Sequence, residues 1–218
     1  MAKLESSFKN MLLVLAGISL FSALTLGSMY KLTEAPIAAS KKAKQESAIK
    51  AVLPPFERIA DVEEVTVEGA GAFKVYKAYD KADKFVGAAV ESFSKNGFSG
   101  EIKVMVGFDV EGSIVDYSVL EQKETPGLGT KMLDWFKTDK NNQNIKGKNP
   151  AKNKLTVSKD GGEVDAITAA TISSRAFLEA VQLAYAAYSN NPDAPDMTSG
   201  ATAKQEAADS TTVAVTNN

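Results

Sequence analysis

Val164-Asp165-Ala166-Ile167-Thr168-Ala169-Ala170-Thr171-Ile172-Ser173-Ser174-Arg175 joins a turn of small residues to the start of a helix. Beyond the turn, Ile172, Ala176, Phe177, Ala180, Val181, Ala184, Tyr185 and Tyr188 recur at helical spacing. They form the apolar stripe of an amphipathic helix. Thr171 therefore falls at or near a helix N-terminus, where unpaired backbone N–H groups and a partial positive charge favour a phosphate. Ala169 and Ala170 keep bulk away from the approach, and Ser173, Ser174 and Arg175 offer further donors. The same residues also read as a plain capped helix start, because Thr and Asp are common N-caps.

Upstream, the chain reads as sheet. Ile102, Val104, Val106, Phe108 and Val110 alternate with Lys103, Met105, Gly107 and Asp109, which is the period of a strand. Glu111-Gly112 turns the chain, and residues 114–120 run back as the hairpin partner. Residues 62–68, 73–79 and 85–93 read as three earlier strands, with Gly69-Ala70-Gly71 separating the first two. After the hairpin comes Glu124-Thr125-Pro126-Gly127-Leu128-Gly129, a shaped loop in which Pro fixes φ and glycines permit unusual angles. Lys131, Met132, Leu133, Trp135 and Phe136 read as a short helix, with Trp135 and Phe136 open to core or cofactor roles. Residues 139–158 read as a polar surface loop containing a short strand near residues 155–157. The fold class expected is α+β, an antiparallel sheet with flanking helices.

Composition narrows the chemistry. The chain has 218 residues, a net charge of −2, no Cys and no His. The charge gives no sign of nucleic-acid binding. Disulfides, thiolate iron–sulfur ligation, Cys-x-x-Cys-His haem attachment and a His-based triad are excluded. No metal site and no catalytic residue are expected, so any redox chemistry calls for an organic cofactor.

Four segments are expected. Residues 1–10 form a short polar start, and residues 11–30 contain no charged side chain. As a helix that second stretch reaches about 30 Å, the thickness of a bilayer core. It reads as a membrane anchor, with a cleaved signal peptide as the rival. Residues 31–188 form the folded domain, opening with a helical stretch over residues 32–53 that Pro54-Pro55 stops. Residues 189–218 read as a disordered tail.

Two of these stretches carry a resemblance. Asp165-x-x-Thr168-Ala169-Ala170-Thr171 resembles the flavinylation motif of the FMN-binding domain found in the G subunit of Rnf ion-translocating electron transport complexes. The same domain occurs in the C subunit of the sodium-pumping NADH:quinone reductase. Glu124-Thr125-Pro126-Gly127-Leu128-Gly129 matches the family's second characteristic stretch without a change. The family usually has Gly where this chain has Ala169.

The resemblance implies FMN joined by a phosphoester to the hydroxyl of Thr171, made by a flavin transferase with FAD as donor. It implies that Asp165, Thr168, Ala169, Ala170, Ser173 and Ser174 surround the cofactor. It places Glu124, Thr125, Pro126, Gly127, Leu128, Gly129 and Lys131 there too. The implied function is an electron relay within an Rnf-type ferredoxin:NAD oxidoreductase complex, in contact with its other membrane subunits. The alternatives are the C subunit of the quinone reductase, a stand-alone flavin carrier, or an anchored domain with no cofactor.

The resemblance also implies an inner-membrane protein with its flavin domain on the periplasmic side. The lysine balance leans the other way: Lys3 and Lys9 precede the apolar stretch, whereas Lys31, Lys41, Lys42 and Lys44 follow it. A second match to the flavinylation pattern, Asp196-Met197-Thr198-Ser199-Gly200-Ala201-Thr202, lies in the tail and includes the usual Gly.

Overall fold

A computed structural model describes residues 7–60 and 62–189. Thr202 and all of the expected tail except Ser189 therefore lie outside the described residues. The chain divides into two units, Met1–Lys44 and Gln45–Asn218.

The first helix, α1 (Phe8–Val52), takes in both the uncharged stretch and the helical stretch after it. The sequence reads as two separate helices here; the helix is unbroken and Pro36 lies inside it. It is long and apolar enough to cross a membrane. Its hydroxyls suit that role. Thr25 Oγ1 donates to Phe21 O, Ser28 Oγ to Leu24 O and Thr33 Oγ1 to Met29 O. Each hydroxyl is thereby satisfied within the helix and can enter hydrocarbon at little cost.

In the second unit, the sheet is antiparallel throughout. Its strands are β1 (Arg58–Ile59), β2 (Glu63–Val67), β3 (Gly71–Tyr79), β4 (Phe85–Ser94), β5 (Ile102–Asp109) and β6 (Ile114–Glu121). The order is β1-β3-β4-β5-β6, with β2 also paired to β3. The alternation read in β5 holds from Ile102 to Phe108, but Val110 falls in the turn after the strand and is exposed. Ile102, Val104, Val106 and Phe108 are buried on one face together with the helix α2 (Thr171–Ser189). Met105 is buried on the other face with Ala48, Ile49 and Val52 from the end of α1. The approach there is close: a Cβ on Gly107 would lie 1.9 Å from Val52 O. Gln45 Nε2 donates to Tyr76 Oη and Glu91 Oε2 on this face. Burial, reinforced by Glu91, pushes the Tyr76 hydroxyl up to about 12, so it stays protonated.

The α2 face carries the larger aromatic core. Phe177 stacks on Phe136 at 4.5 Å and meets Tyr117 edge-on at 4.8 Å. Each such ring contributes about 1.5–3 kcal/mol when fully buried. Ser92 Oγ in β4 donates to Ala180 O in α2, fixing helix to strand. Tyr117 Oη donates to Met132 O, which holds the segment after β6 against the same core.

Further expectations need correcting. The short helix predicted at residues 131–136 is two 3-10 turns, Gly129–Leu133 and Trp135–Lys137. Phe136 is fully buried, and Trp135 Nε1 donates to Asp165 O, so both serve the core. Residues 139–158 are not merely a surface loop, because Ile145, Leu155 and Val157 are buried in the α2-side core. The strand expected there amounts to one bridge, Val157 to Val164. Finally, the helix read as ending at residue 188 continues through Ser189.

Candidate functional site

Two turns of the same shape bring the two motifs together. In Thr125-Pro126-Gly127-Leu128, the Leu128 N–H donates to Thr125 O, and Gly127 has φ +75°. In Ile167-Thr168-Ala169-Ala170, the Ala170 N–H donates to Ile167 O, and Ala169 has φ +61°. Positive φ at the third residue alone is the mark of a type II turn, which favours Gly there. Ala169, the position where the resemblance leads one to expect Gly, thus adopts the left-handed conformation without being Gly.

The second turn delivers the chain to α2. The helix ladder begins with the Ser174 N–H donating to Ala170 O, so Ala170 occupies the cap position and Thr171 is the first helical residue. The plain-cap reading of Thr171 therefore fails. Ala170 has no side-chain acceptor to cap the helix. The N–H groups of Thr171, Ile172 and Ser173 precede the ladder and have no intrahelical partner. The Thr171 hydroxyl makes no hydrogen bond among the described residues, and the residue is half-exposed.

The two turns and the loop between β4 and β5 enclose a depression of about 300 Å³. Its lining is Phe98, Glu124, Thr125, Leu128, Gly129, Ala169, Ala170, Thr171, Ile172 and Ser173. One buried carboxylate ties the three segments. Glu124 is 4 % exposed. Its Oε1 accepts the Ser99 N–H at 2.9 Å, and its Oε2 accepts the Ser173 hydroxyl at 2.5 Å. Gly129 has to be small: a Cβ there would lie 2.7 Å from both Glu124 Cβ and Ser173 Oγ.

Of the residues expected to surround a cofactor, Glu124, Thr125, Leu128, Gly129, Ala169, Ala170, Thr171 and Ser173 meet in this depression. The others lie elsewhere. Ser174 Oγ is buried, accepting the Ile167 N–H and donating to Ala170 O, so it braces the turn. Asp165 accepts from Ser158 Oγ and the Asn142 N–H. Thr168, Pro126, Gly127 and Lys131 are outside the lining. Arg175, expected to offer a donor for phosphate, instead makes a two-point pair with Asp160 at 2.7 Å per contact. That guanidinium holds the Asp160 carboxyl below its usual range.

Two lining residues are not recognisable as such from the sequence. Phe98 belongs to neither motif, and Ile172 reads as part of the core stripe. Ile172 is 37 % exposed because the first turn of α2 opens on the depression.

The FMN-binding domain profile matches residues 97–186. Curated relatives, each the G subunit of an ion-translocating oxidoreductase complex, span more. The Salmonella typhi protein is 34 % identical over 180 residues, covering 77 % of this chain and 85 % of the relative. The Aliivibrio fischeri protein is 31 % identical over 193 residues, covering 82 % and 89 %. The Escherichia coli K12 protein is 40 % identical over 120 residues, covering 53 % and 56 %. Among solved structures, the crystal structure of Shewanella oneidensis NqrC is similar at 22 % identity and a TM-score of 0.37, covering 62 % of this chain and 64 % of that one.

Proposed function

The chain belongs to the family of G subunits of ion-translocating oxidoreductase complexes, and from that membership we propose that it is the single-pass, flavin-carrying electron relay of an Rnf-type complex. Its FMN is joined covalently to Thr171.

The observation that carries this reading is the free Thr171 hydroxyl at the uncapped start of α2, inside the depression where both motifs meet. The residues fit the group. The N–H groups of Thr171, Ile172 and Ser173 suit a phosphate diester. Gly129 lets the Glu124 and Ser173 side chains meet beside the depression. Leu128 and Ile172 offer apolar surface to a flavin ring. Attachment needs a flavin transferase as a partner in maturation. The Thr171 oxygen forms a bond to the FMN phosphorus of FAD, the bond from that phosphorus to AMP breaks, and AMP leaves as the hydroxyl gives up its proton.

FMN, when bound, supplies one- and two-electron redox chemistry. The protein's share is placement. Thr171 fixes the phosphate end, Glu124 keeps the surrounding segments in register, and α1 confines the domain to the membrane surface. A depression of about 300 Å³ is at the low end for ligand sites, so part of a flavin held there would stay accessible to an electron-transfer partner.

In full-length protein coexpressed with the transferase, a denaturing gel should show a flavin-fluorescent band, and peptide mass spectrometry should find FMN on Thr171. Thr171→Ala should lose the band. FMN found only on another residue would overturn the assignment.

The same reading puts the flavin domain on the periplasmic side of the inner membrane. The support is family membership, against a lysine balance that leans the other way. Protease added to cells with a permeabilised outer membrane should digest the domain. Protection until the inner membrane is lysed would reverse the orientation.

A further inference from the structure

We propose that Phe98 is the aromatic wall against which the isoalloxazine ring packs, and that Glu124 is the positioning residue that holds Phe98 there. The inference rests on the FMN reading above, and it adds a residue that neither motif contains.

Among the described residues outside α1, the exposed large apolar side chains are Val62, Phe98, Val110, Leu128, Leu133 and Ile172. Three of these, Phe98, Leu128 and Ile172, line the one depression. They come from three separate segments of the chain, so their convergence is a product of the fold. Phe98 is the largest of the six and the most exposed, at 66 %.

A loose loop would fold such a ring back onto the protein. This loop is pinned on both sides of Phe98. Before it, a Cβ on Gly97 would lie 2.2 Å from Gly100 O and 2.9 Å from Glu124 Oε1, so the backbone there is packed against its own turn and the carboxylate. After it, the Ser99 N–H donates to Glu124 Oε1. The other oxygen of Glu124 takes the Ser173 hydroxyl, two residues beyond Thr171. One side chain therefore sets the aromatic ring in register with the attachment point.

A planar aromatic ligand tethered at Thr171 covers the surface that Phe98 leaves open. Two such rings prefer offset or edge contact with a fixed partner. Pinning the loop beforehand removes the ordering cost that a mobile wall would carry on binding.

The test uses the flavinylated full chain, with FMN on Thr171 checked by mass, and reads the collisional quenching of flavin fluorescence by iodide at constant ionic strength. Free FMN sets the unshielded limit. Phe98→Ala should raise the quenching constant at least about threefold towards that limit, and Phe98→Tyr should keep it near the parent value. Glu124→Ala should raise it with Phe98 still present. Glu124→Gln should not, because its amide can accept from Ser99 N–H and donate to Ser173 Oγ. Flavin present on Thr171 with quenching unchanged in Phe98→Ala would overturn the wall. A rise in Phe98→Ala with no rise in Glu124→Ala would overturn the role given to Glu124. No FMN on Thr171 in the parent chain would overturn the proposed function and this inference with it.

Discussion

The turn over residues 125–128 and the turn over residues 167–170 share a hydrogen-bond pattern and a positive φ at the third residue, yet they are built differently. The first uses Pro126 and Gly127, the residues its shape prefers. It is braced further, as the Gly127 N–H donates to Thr130 Oγ1. The second places Ala169 where Gly would be unstrained. It is held by its neighbours: Ser174 Oγ grips Ile167 N–H and Ala170 O, and Ile167 is buried. One turn is shaped by its own residues; the other is imposed by the helix that follows it. The imposed turn is the one that presents Thr171, the residue proposed to carry FMN.

The comparison breaks most severely at Gly129, where the two segments touch. Gly129→Ala should cost about 2–3 kcal/mol, because its Cβ meets both Glu124 and Ser173 and neither can withdraw without losing their mutual hydrogen bond. Thermal or urea unfolding of the flavin-free protein measures this. A loss well under about 1 kcal/mol would mean that the contact between the segments relaxes freely.

A reciprocal pair of substitutions sharpens the comparison at about 1 kcal/mol. Gly127→Ala adds a Cβ that meets open space, so any cost is purely conformational. Left-handed φ costs an Ala roughly 1–2 kcal/mol, while the lower unfolded-state entropy of Ala returns about 0.4–1 kcal/mol. Gly127→Ala should therefore destabilise by about 0.5–1 kcal/mol, and Ala169→Gly should stabilise by a similar amount. If Ala169→Gly destabilises instead, the strain attributed to that turn is absent.

Periodicity made most of the fold legible. The β5–β6 hairpin and α2 follow from alternation and helical spacing, and both sit where those periods place them. Residues 139–158 did not show their burial. Ile145, Leu155 and Val157 are separated by Asn and Lys at no regular interval, and only the wrap of the segment over the core buries them. The two motifs announced the depression, but Phe98 stood alone between polar residues and glycines. Its one signal was a large ring at a hairpin tip, where burial within the hairpin is impossible. The pairing of Arg175 with Asp160 was illegible for a different reason. It spans 15 residues across an irregular segment, and a side-chain contact of that kind leaves no periodic trace.

The smallest effect is expected at Thr202, which lies outside the described residues and sharpens the comparison as a second match to the same pattern. By pattern alone, Asp196-Met197-Thr198-Ser199-Gly200-Ala201-Thr202 matches better than the turn at Thr171, since it has the Gly that stands in place of Ala169. If the pattern decided function, Thr202 would be the better acceptor. The physical case favours Thr171. There the turn is followed by an amphipathic helix whose first N–H groups are uncapped, and it borders a depression with apolar walls. After Thr202 come Ala203-Lys204-Gln205-Glu206-Ala207-Ala208, which include no large apolar side chain of the kind that Phe177 and Tyr185 supply after Thr171. Thr202→Ala should therefore leave FMN content, gel fluorescence and electron transfer unchanged, in contrast to Thr171→Ala. Peptide mass spectrometry on the two single variants and the double variant separates the cases. Full flavin content in Thr171→Ala, lost only when Thr202 is also replaced, would mean that a short peptide pattern is enough and that the helix terminus plays no part in choosing the acceptor.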